Sequence, residues 1–160
     1  MTTFLLVHVV LSLLAIFAGF VALVELLGGK PRGGVAAAFL ATTIATSLTG
    51  FALPFPRFLP SHAVAIISLV VLALAVLARY GRHLAGPWRW IYAVSSVLAL
   101  YLNVFVLIAQ AFQKVAALKA LAPTQSEPPF LIAQLLALVI FVALGAAAAR
   151  KFQRGAAAAA

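Results

Sequence analysis

The fold follows from the stretch FLLVHVVLSLLAIFAGFVALVELL, residues Phe4–Leu27. Nearly every residue in it is apolar, and its one acidic residue, Glu25, lies close to its end. The hydrocarbon core of a bilayer is about 30 Å thick, and a helix of about 20 apolar residues crosses it. The stretch therefore predicts a membrane-spanning helix, which ends at Gly28-Gly29 because glycine commonly terminates helices.

Four further apolar stretches of similar length follow the first. The pattern predicts an all-α fold, a polytopic transmembrane helical bundle formed as one unit by residues 1–154, with spans at about 4–27, 35–53, 62–80, 88–113 and 130–149. No Pro or Gly precedes Pro123 in the fourth helix, so this helix is predicted to continue through Ala122. Residues 155–160, GAAAAA, form a low-complexity tail that we set apart from the bundle.

The composition excludes several classes of protein. Of the 160 residues, 66% are hydrophobic and 8% are charged, and the mean hydropathy is +1.22. A soluble domain is about 25% charged, so a soluble globular domain, a disordered chain and, despite the net charge of +9, a nucleic-acid-binding protein are excluded. The absence of cysteine excludes disulfides and thiolate metal ligands, and two acidic residues are too few for a Ca²⁺ or Mg²⁺ site.

The basic residues predict the orientation of the spans. Three of them, Arg57, Lys114 and Lys119, are predicted to lie on one side of the membrane. Eight are predicted to lie on the other side: Lys30, Arg32, Arg79, Arg82, Arg89, Arg150, Lys151 and Arg154. Loops rich in Lys and Arg remain on the cytoplasmic side of a membrane. The N-terminus is therefore predicted on the outer side of a bacterial inner membrane and the C-terminus on its cytoplasmic side. The eight inner residues are expected to contact the anionic head groups of membrane lipids.

Polar residues within the spans concentrate in the predicted outer half of the bundle. An unpaired polar group in hydrocarbon costs several kcal/mol, so such residues face other helices or a cavity. Ser and Thr often bond their own helix, and Asn or Gln often joins two helices, so helix packing is one interpretation. The other is a ligand pocket open to the outside, lined by His8, Thr46, His62, Asn103, Gln110 and Gln134.

These residues support three hypotheses of function. The first is the binding or permeation of a small ligand or ion through the outer polar cavity, in a protein that forms an oligomer or joins a membrane complex. The second is an accessory or structural subunit of a larger membrane complex. The third is a redox subunit that holds a b-type haem or a quinone near His8 and His62. No cofactor or metal is otherwise predicted, and no nucleophile–base pair or carboxylate cluster supports an enzyme.

Glu25 is the one carboxylate within a predicted span. It lies about one turn from Lys30 and Arg32, so we predict an ion pair with one of them at the inner interface. A proton relay requires further titratable groups at mid-depth, and Glu25 has no such successor along the bundle.

Two segments resemble a known group of proteins. TSLTGFALPFPRFLPSHAVAIIS, residues 46–68, and APTQSEPPF, residues 122–130, are similar to segments of small bacterial membrane proteins of about this length. The resemblance would cover nearly the whole chain. It implies a helical inner-membrane protein and carries no known activity, so it assigns no functional residues.

Overall fold

The computed structural model of the protein describes residues 3–52 and 60–157. The chain forms α1 (Thr3–Leu27), α2 (Gly33–Phe51), α3 (Pro60–Val76), α4 (Trp88–Lys114), α5 (Ala116–Leu121) and α6 (Pro128–Ala157). A π-helical turn, Leu77–Gly81, continues α3. No strand occurs within the described ranges.

Five of these helices are long and apolar enough to cross a membrane, as the sequence predicts. Their bounds are Thr3–Leu27, Gly33–Phe51, Ser61–Gly81, Trp88–Lys114 and Pro128–Gly155. Large apolar side chains point away from the bundle, such as Phe17 on α1 (70% exposed) and Val139 on α6 (65% exposed). Exposure of apolar faces of this extent to water would be unfavourable. Such faces are typical of a lipid-facing surface.

The central helix of the bundle is α4, which packs against α1, α3 and α6. Helix α2 packs against α1 and α3. Gly19 lets α1 approach its neighbours closely, because a Cβ at this position would lie 2.6 Å from Leu100 Cδ1 and 2.8 Å from Phe39 Cε2. Phe39 and Leu100 are themselves almost fully buried, so α1, α2 and α4 form a tight core at this level.

We call the end of the bundle that carries Lys30, Arg82 and Arg150 the basic end. The opposite end, where α4 ends at Lys114 and α3 begins, is the cavity end. Arg57, one of the three basic residues predicted outside, lies in 53–59 and therefore outside the described residues.

Helix α6 is longer than the predicted span, which was expected to end at residue 149. It continues to Ala157, so residues 155–157 of the predicted tail belong to the helix. Arg89 explains part of this extension, because its Nε and Nη2 donate to the carbonyl of Phe152 at 3.2 and 3.0 Å. The turn at Gly29 (φ +74°) also lies against it, and a Cβ on Gly155 would be 3.1 Å from the Gly29 oxygen.

The prediction that the fourth helix continues to Ala122 is wrong. Helix α4 ends at Lys114, Val115 is extended (ψ 116°), and α5 begins at Ala116. The segment after the break folds back onto α4, where Gln125 Nε2 donates to the carbonyl of Ala109 at 2.7 Å. Gln113 Nε2 donates in turn to Gln125 Oε1 at 3.1 Å. These tertiary contacts end the helix where no Pro or Gly does.

Candidate functional site

A cavity of about 680 Å³ lies at the cavity end, between α1, α2, α3 and α4. Its walls are largely apolar, with Val9 and Ile16 of α1 facing Ala65 of α3 and Val106 of α4 among others. Along α4 the described lining extends from Leu102 to Val115, which is about 20 Å at 1.5 Å per residue. The cavity is therefore elongated along the bundle axis.

Five of the six residues predicted for the pocket line this cavity: His8, Thr46, His62, Asn103 and Gln110. Gln134 does not. Its Nε2 donates to the carbonyl of Phe105 at 3.1 Å, so it joins α6 to α4 as a packing residue. The predicted depth of Gln134 places it near α4, but α6 docks on a part of α4 that does not border the cavity.

Six further polar residues line the cavity that the sequence analysis did not assign to the pocket: Ser12, Ser47, Ser61, Ser68, Gln113 and Lys114. Lys114 was counted in the sequence as a charge that sets orientation. Its position at the end of the same helix face as Asn103 and Gln110, at spacings of seven and four residues, is the signal that could have assigned it.

Several polar groups of the cavity lining bond to other protein groups. Asn103 Nδ2 donates to Thr43 Oγ1 at 3.3 Å, which links α4 to α2. Ser47 Oγ contacts Ser68 Oγ at 3.5 Å, and Ser12 Oγ donates to the His8 carbonyl at 2.8 Å. These contacts are those expected of helix packing.

Polar and basic groups of the lining also lie near the mouth. We call five of them, His8, Thr46, His62, Gln110 and Lys114, the collar, and each lies within about 8 Å of the cavity end of its helix at 1.5 Å per residue. The hydroxyl oxygen of Thr46 is buried and has no hydrogen-bond partner among the described residues. Arg79 Nη1, Ser96 Oγ and Gln134 Oε1 are unpaired in the same way and belong to residues that do not line the cavity, so the Thr46 hydroxyl does not by itself mark a ligand site.

His8 is oriented within the collar by a neighbouring helix. Its Nδ1 lies 2.8 Å from Thr49 Oγ1, which is also 2.7 Å from the Ala45 carbonyl and 3.2 Å from the Thr46 carbonyl. This contact fixes the orientation of the ring in either tautomer, because a hydroxyl can donate to Nδ1 or accept from it.

The cavity is closed toward the basic end. Below it, the side chains around Gly19, Phe39, Ser96 and Leu100 leave no room for a water-sized molecule. In the described residues, this packed level forms the floor of the cavity.

The described lining of the cavity includes a lysine, Lys114, and no acidic residue. The sequence has only two acidic residues, Glu25 and Glu127, and neither is among the described lining residues. Glu25 Oε1 pairs with Arg32 Nε at 2.6 Å at the basic end, which confirms the predicted ion pair. Glu127 accepts hydrogen bonds from Thr124 and from the Ser126 N–H. Lys114 thus lies at the mouth, within electrostatic range of His8, and its charge faces no carboxylate of the lining.

The loop before α6 perturbs one titratable group outside the spans. Burial acts to raise the pKa of Glu127, but hydrogen bonds from Thr124 and Ser126 outweigh it, so the pKa of this carboxyl lies below its ordinary value. The Glu127 carbonyl accepts from the N–H groups of Phe130 and Leu131, which places Glu127 directly before the first turn of α6.

At the basic end, four of the eight residues predicted to contact lipid make contacts within the protein. Arg32 pairs with Glu25, and Arg89 bonds the Phe152 carbonyl. The guanidinium carbons of Arg79 and Arg82 lie 5.2 Å from the ring centroids of Tyr92 and Trp88. The other four are exposed: Lys30, Arg150, Lys151 and Arg154. Contact of these residues with lipid head groups stays a prediction.

Comparison with known proteins adds no assignment to this site. Neither a scan of protein-family models nor searches of curated proteins and of solved structures found a match to this chain. The resemblance of the two loop segments therefore carries no residue roles, and the function has to be argued from the geometry of the cavity.

Proposed function

We propose that this protein is an integral membrane protein that binds a small ligand in the cavity between α1, α2, α3 and α4. The observation that carries this proposal is a space of about 680 Å³ with largely apolar walls and a few polar or basic groups at its mouth, among them His8, Gln110 and Lys114. Sites for small molecules have volumes of about 300–1,000 Å³ and combine apolar walls with a few polar groups. The cavity has both properties.

Binding is favoured over permeation by the closed floor of the cavity. An ion or solute that entered from the cavity end would meet the packed level at Gly19, Phe39 and Leu100. Passage would require these helices to separate, whereas binding requires no such rearrangement.

The proposal includes a bacterial inner membrane and an orientation in it. The split of eight basic residues against three favours the basic end inside and the cavity end outside. The ligand would then reach the cavity from the outer side of the membrane or from its outer leaflet.

The test compares molecules that remain bound through purification. Wild-type protein and Ala65→Phe, which fills the cavity from α3, are purified in parallel and extracted for mass spectrometry. Ala73→Phe is the matched control, because Ala73 is exposed on the same helix and does not line the cavity. We expect a compound that wild type and Ala73→Phe retain in equal amount and that Ala65→Phe loses. Identical extracts from all three proteins would contradict the proposal.

A second candidate, a b-type haem subunit, is favoured by one observation. Two imidazoles, those of His8 and His62, line the same cavity, and the Nδ1 of His8 is fixed by Thr49. A histidine that ligates haem is commonly held in this way through its other nitrogen. The visible spectrum of protein produced with added haem precursor tests this. A Soret band that His8→Ala removes would support it, and a colourless preparation would contradict it.

A further inference from the structure

We infer that the ligand of the cavity is an anionic single-chain amphiphile, whose carboxylate or phosphate head binds at the collar beside Lys114 and whose hydrocarbon chain lies along the apolar walls. This inference rests on the proposed function and adds the chemical class of the ligand. It follows from the charge, the polarity and the shape of the cavity.

The charge of the collar favours an anion. Lys114 is the one Lys, Arg, Asp or Glu in the described lining, which also includes His8 and His62, and both carboxylates of the sequence are bonded elsewhere, Glu25 to Arg32 and Glu127 to Thr124. A cation at the mouth of a low-dielectric cavity, with no acidic partner there, attracts an anionic group. The collar also supplies the carboxamide of Gln110 as a hydrogen-bond donor.

The distribution of polarity fixes the direction of the ligand. Deep in the cavity, Asn103 is bonded to Thr43 and Ser12 donates to the His8 carbonyl, so those groups need no partner from the ligand. Between them and the collar the wall consists of side chains such as Val9, Leu13 and Val106. A head at the collar with the chain pointing toward the closed floor buries apolar surface without leaving a polar group unpaired.

The shape of the cavity favours one chain rather than a compact solute. The lining covers about 20 Å of α4 and about 16 Å of α1, but only about 6 Å of α2 and about 10 Å of α3. With a volume of about 680 Å³, this describes a space that is elongated along α1 and α4. A molecule with an extended chain fills such a space, and a compact polar solute would contact only the collar.

The experiment uses the full chain in nanodiscs of phosphatidylcholine and three probes with the same chain: laurate, dodecanol and dodecyltrimethylammonium. The sequence has no cysteine, so a single Ala65→Cys in the cavity wall reports occupancy as protection from N-ethylmaleimide. Ala120→Cys, exposed on α5, controls for effects of the probes on the reagent or the bilayer. The pH is kept where laurate is ionised.

Laurate is expected to protect Ala65→Cys at about tenfold lower concentration than dodecanol, because a charge-assisted contact contributes that much discrimination. Adding Lys114→Gln should abolish the difference. Lys119→Gln, the matched removal of an exposed lysine that does not line the cavity, should preserve it.

Each other outcome overturns a distinct statement. Equal protection by laurate and dodecanol, unchanged by Lys114→Gln, would show a cavity for neutral apolar ligands, so the anionic class would be wrong and the proposed function would stand. Strongest protection by dodecyltrimethylammonium would overturn the charge argument in the same way. No protection by any probe, together with identical extracts from wild type and Ala65→Phe, would overturn the proposed function itself.

Discussion

Single residues in this protein act through what their atoms contact, which their type alone does not determine. Glycine at position 19 is required by space, since Phe39 and Leu100 occupy the volume that a Cβ would need. Asparagine at position 103 both lines the cavity and joins α4 to α2. The sequence marked Asn103 as a polar residue within a span, but it did not identify the neighbours that give either residue its role.

Gly19→Ala is expected to destabilise the protein. Overpacking a tight core costs about 1–3 kcal/mol, which exceeds the gain of about 0.5–1 kcal/mol that alanine brings to a helix. Phe39 and Leu100 are almost fully buried and have little room to move. Reversible unfolding in mixed micelles measures the effect. Gly34→Ala is the control, because a Cβ there would meet nothing within 4 Å. Equal stability of the two variants would contradict this account of Gly19.

Asn103→Leu is expected to lower the unfolding free energy by about 1 kcal/mol, the usual magnitude for a hydrogen bond between membrane helices. The loss should come from the bond to Thr43, so the effects of Asn103→Leu and Thr43→Val should be strongly non-additive in a double-mutant cycle. Additive effects would show that the two side chains do not interact. Laurate protection of Ala65→Cys should persist in Asn103→Leu, because Asn103 lies below the collar.

At the scale of the helices, hydropathy predicts which spans exist and roughly where each begins and ends. Packing between helices determines their exact ends and which helices are neighbours. The pattern placed five spans, but it could not predict that α4 breaks at Val115 or that α6 continues to Ala157. In both cases the end of the helix depends on contacts between separate segments of the chain, Gln125 with Ala109 and Arg89 with Phe152. Periodicity within one helix shows which residues share a face, but it does not show which neighbour covers that face. Gln134 was misplaced for this reason.

The turn before α6 gives a prediction for how the Glu127 carboxyl titrates with pH. The pKa of Glu127 is lowered in the folded protein, so its hydrogen bonds stabilise the turn above the ordinary carboxyl pKa, and this contribution is lost as the pH falls through the lowered value. Titration of the Glu127 carboxyl carbon by NMR should give a midpoint below about 4.3, the value for an unperturbed glutamate.

Two variants distinguish the contributions of the hydrogen-bond donors to the Glu127 carboxylate in that turn. Thr124→Val removes the hydroxyl that donates to Glu127 Oε1 and should raise the midpoint. Ser126→Ala keeps the backbone N–H of Ser126, which is its donor to Glu127, and should shift the midpoint less. A midpoint at or above the ordinary value, or equal shifts in both variants, would contradict the hydrogen-bond explanation.

At the scale of the whole molecule, the two ends of the bundle differ in charge and in packing. The basic end is filled by arginine contacts and by the long α6, while the cavity end is open between four helices. The sequence predicted this asymmetry from the depth of its polar residues. It could not predict the cavity itself, because the free volume between helices depends on crossing geometry that no local pattern encodes.

The predicted orientation is tested with single cysteines in a chain that has none. Ala120→Cys at the cavity end should react with a membrane-impermeant maleimide in intact cells. Ala85→Cys, exposed at the basic end, should react only after the membrane is opened. The eight-to-three distribution of basic residues is the physical reason. The reverse pattern of labelling would contradict the predicted topology and would show that the cavity opens toward the cytoplasmic side.

The order of the helices has a consequence for biogenesis. Every described residue that lines the cavity belongs to the chain up to Val115, whereas α6 begins at Pro128 and contributes none. During synthesis the four cavity helices therefore leave the ribosome before the fifth apolar helix does. The binding compartment is encoded in the first part of the nascent chain, and α6 arrives afterwards, to be secured against α4 by Arg89.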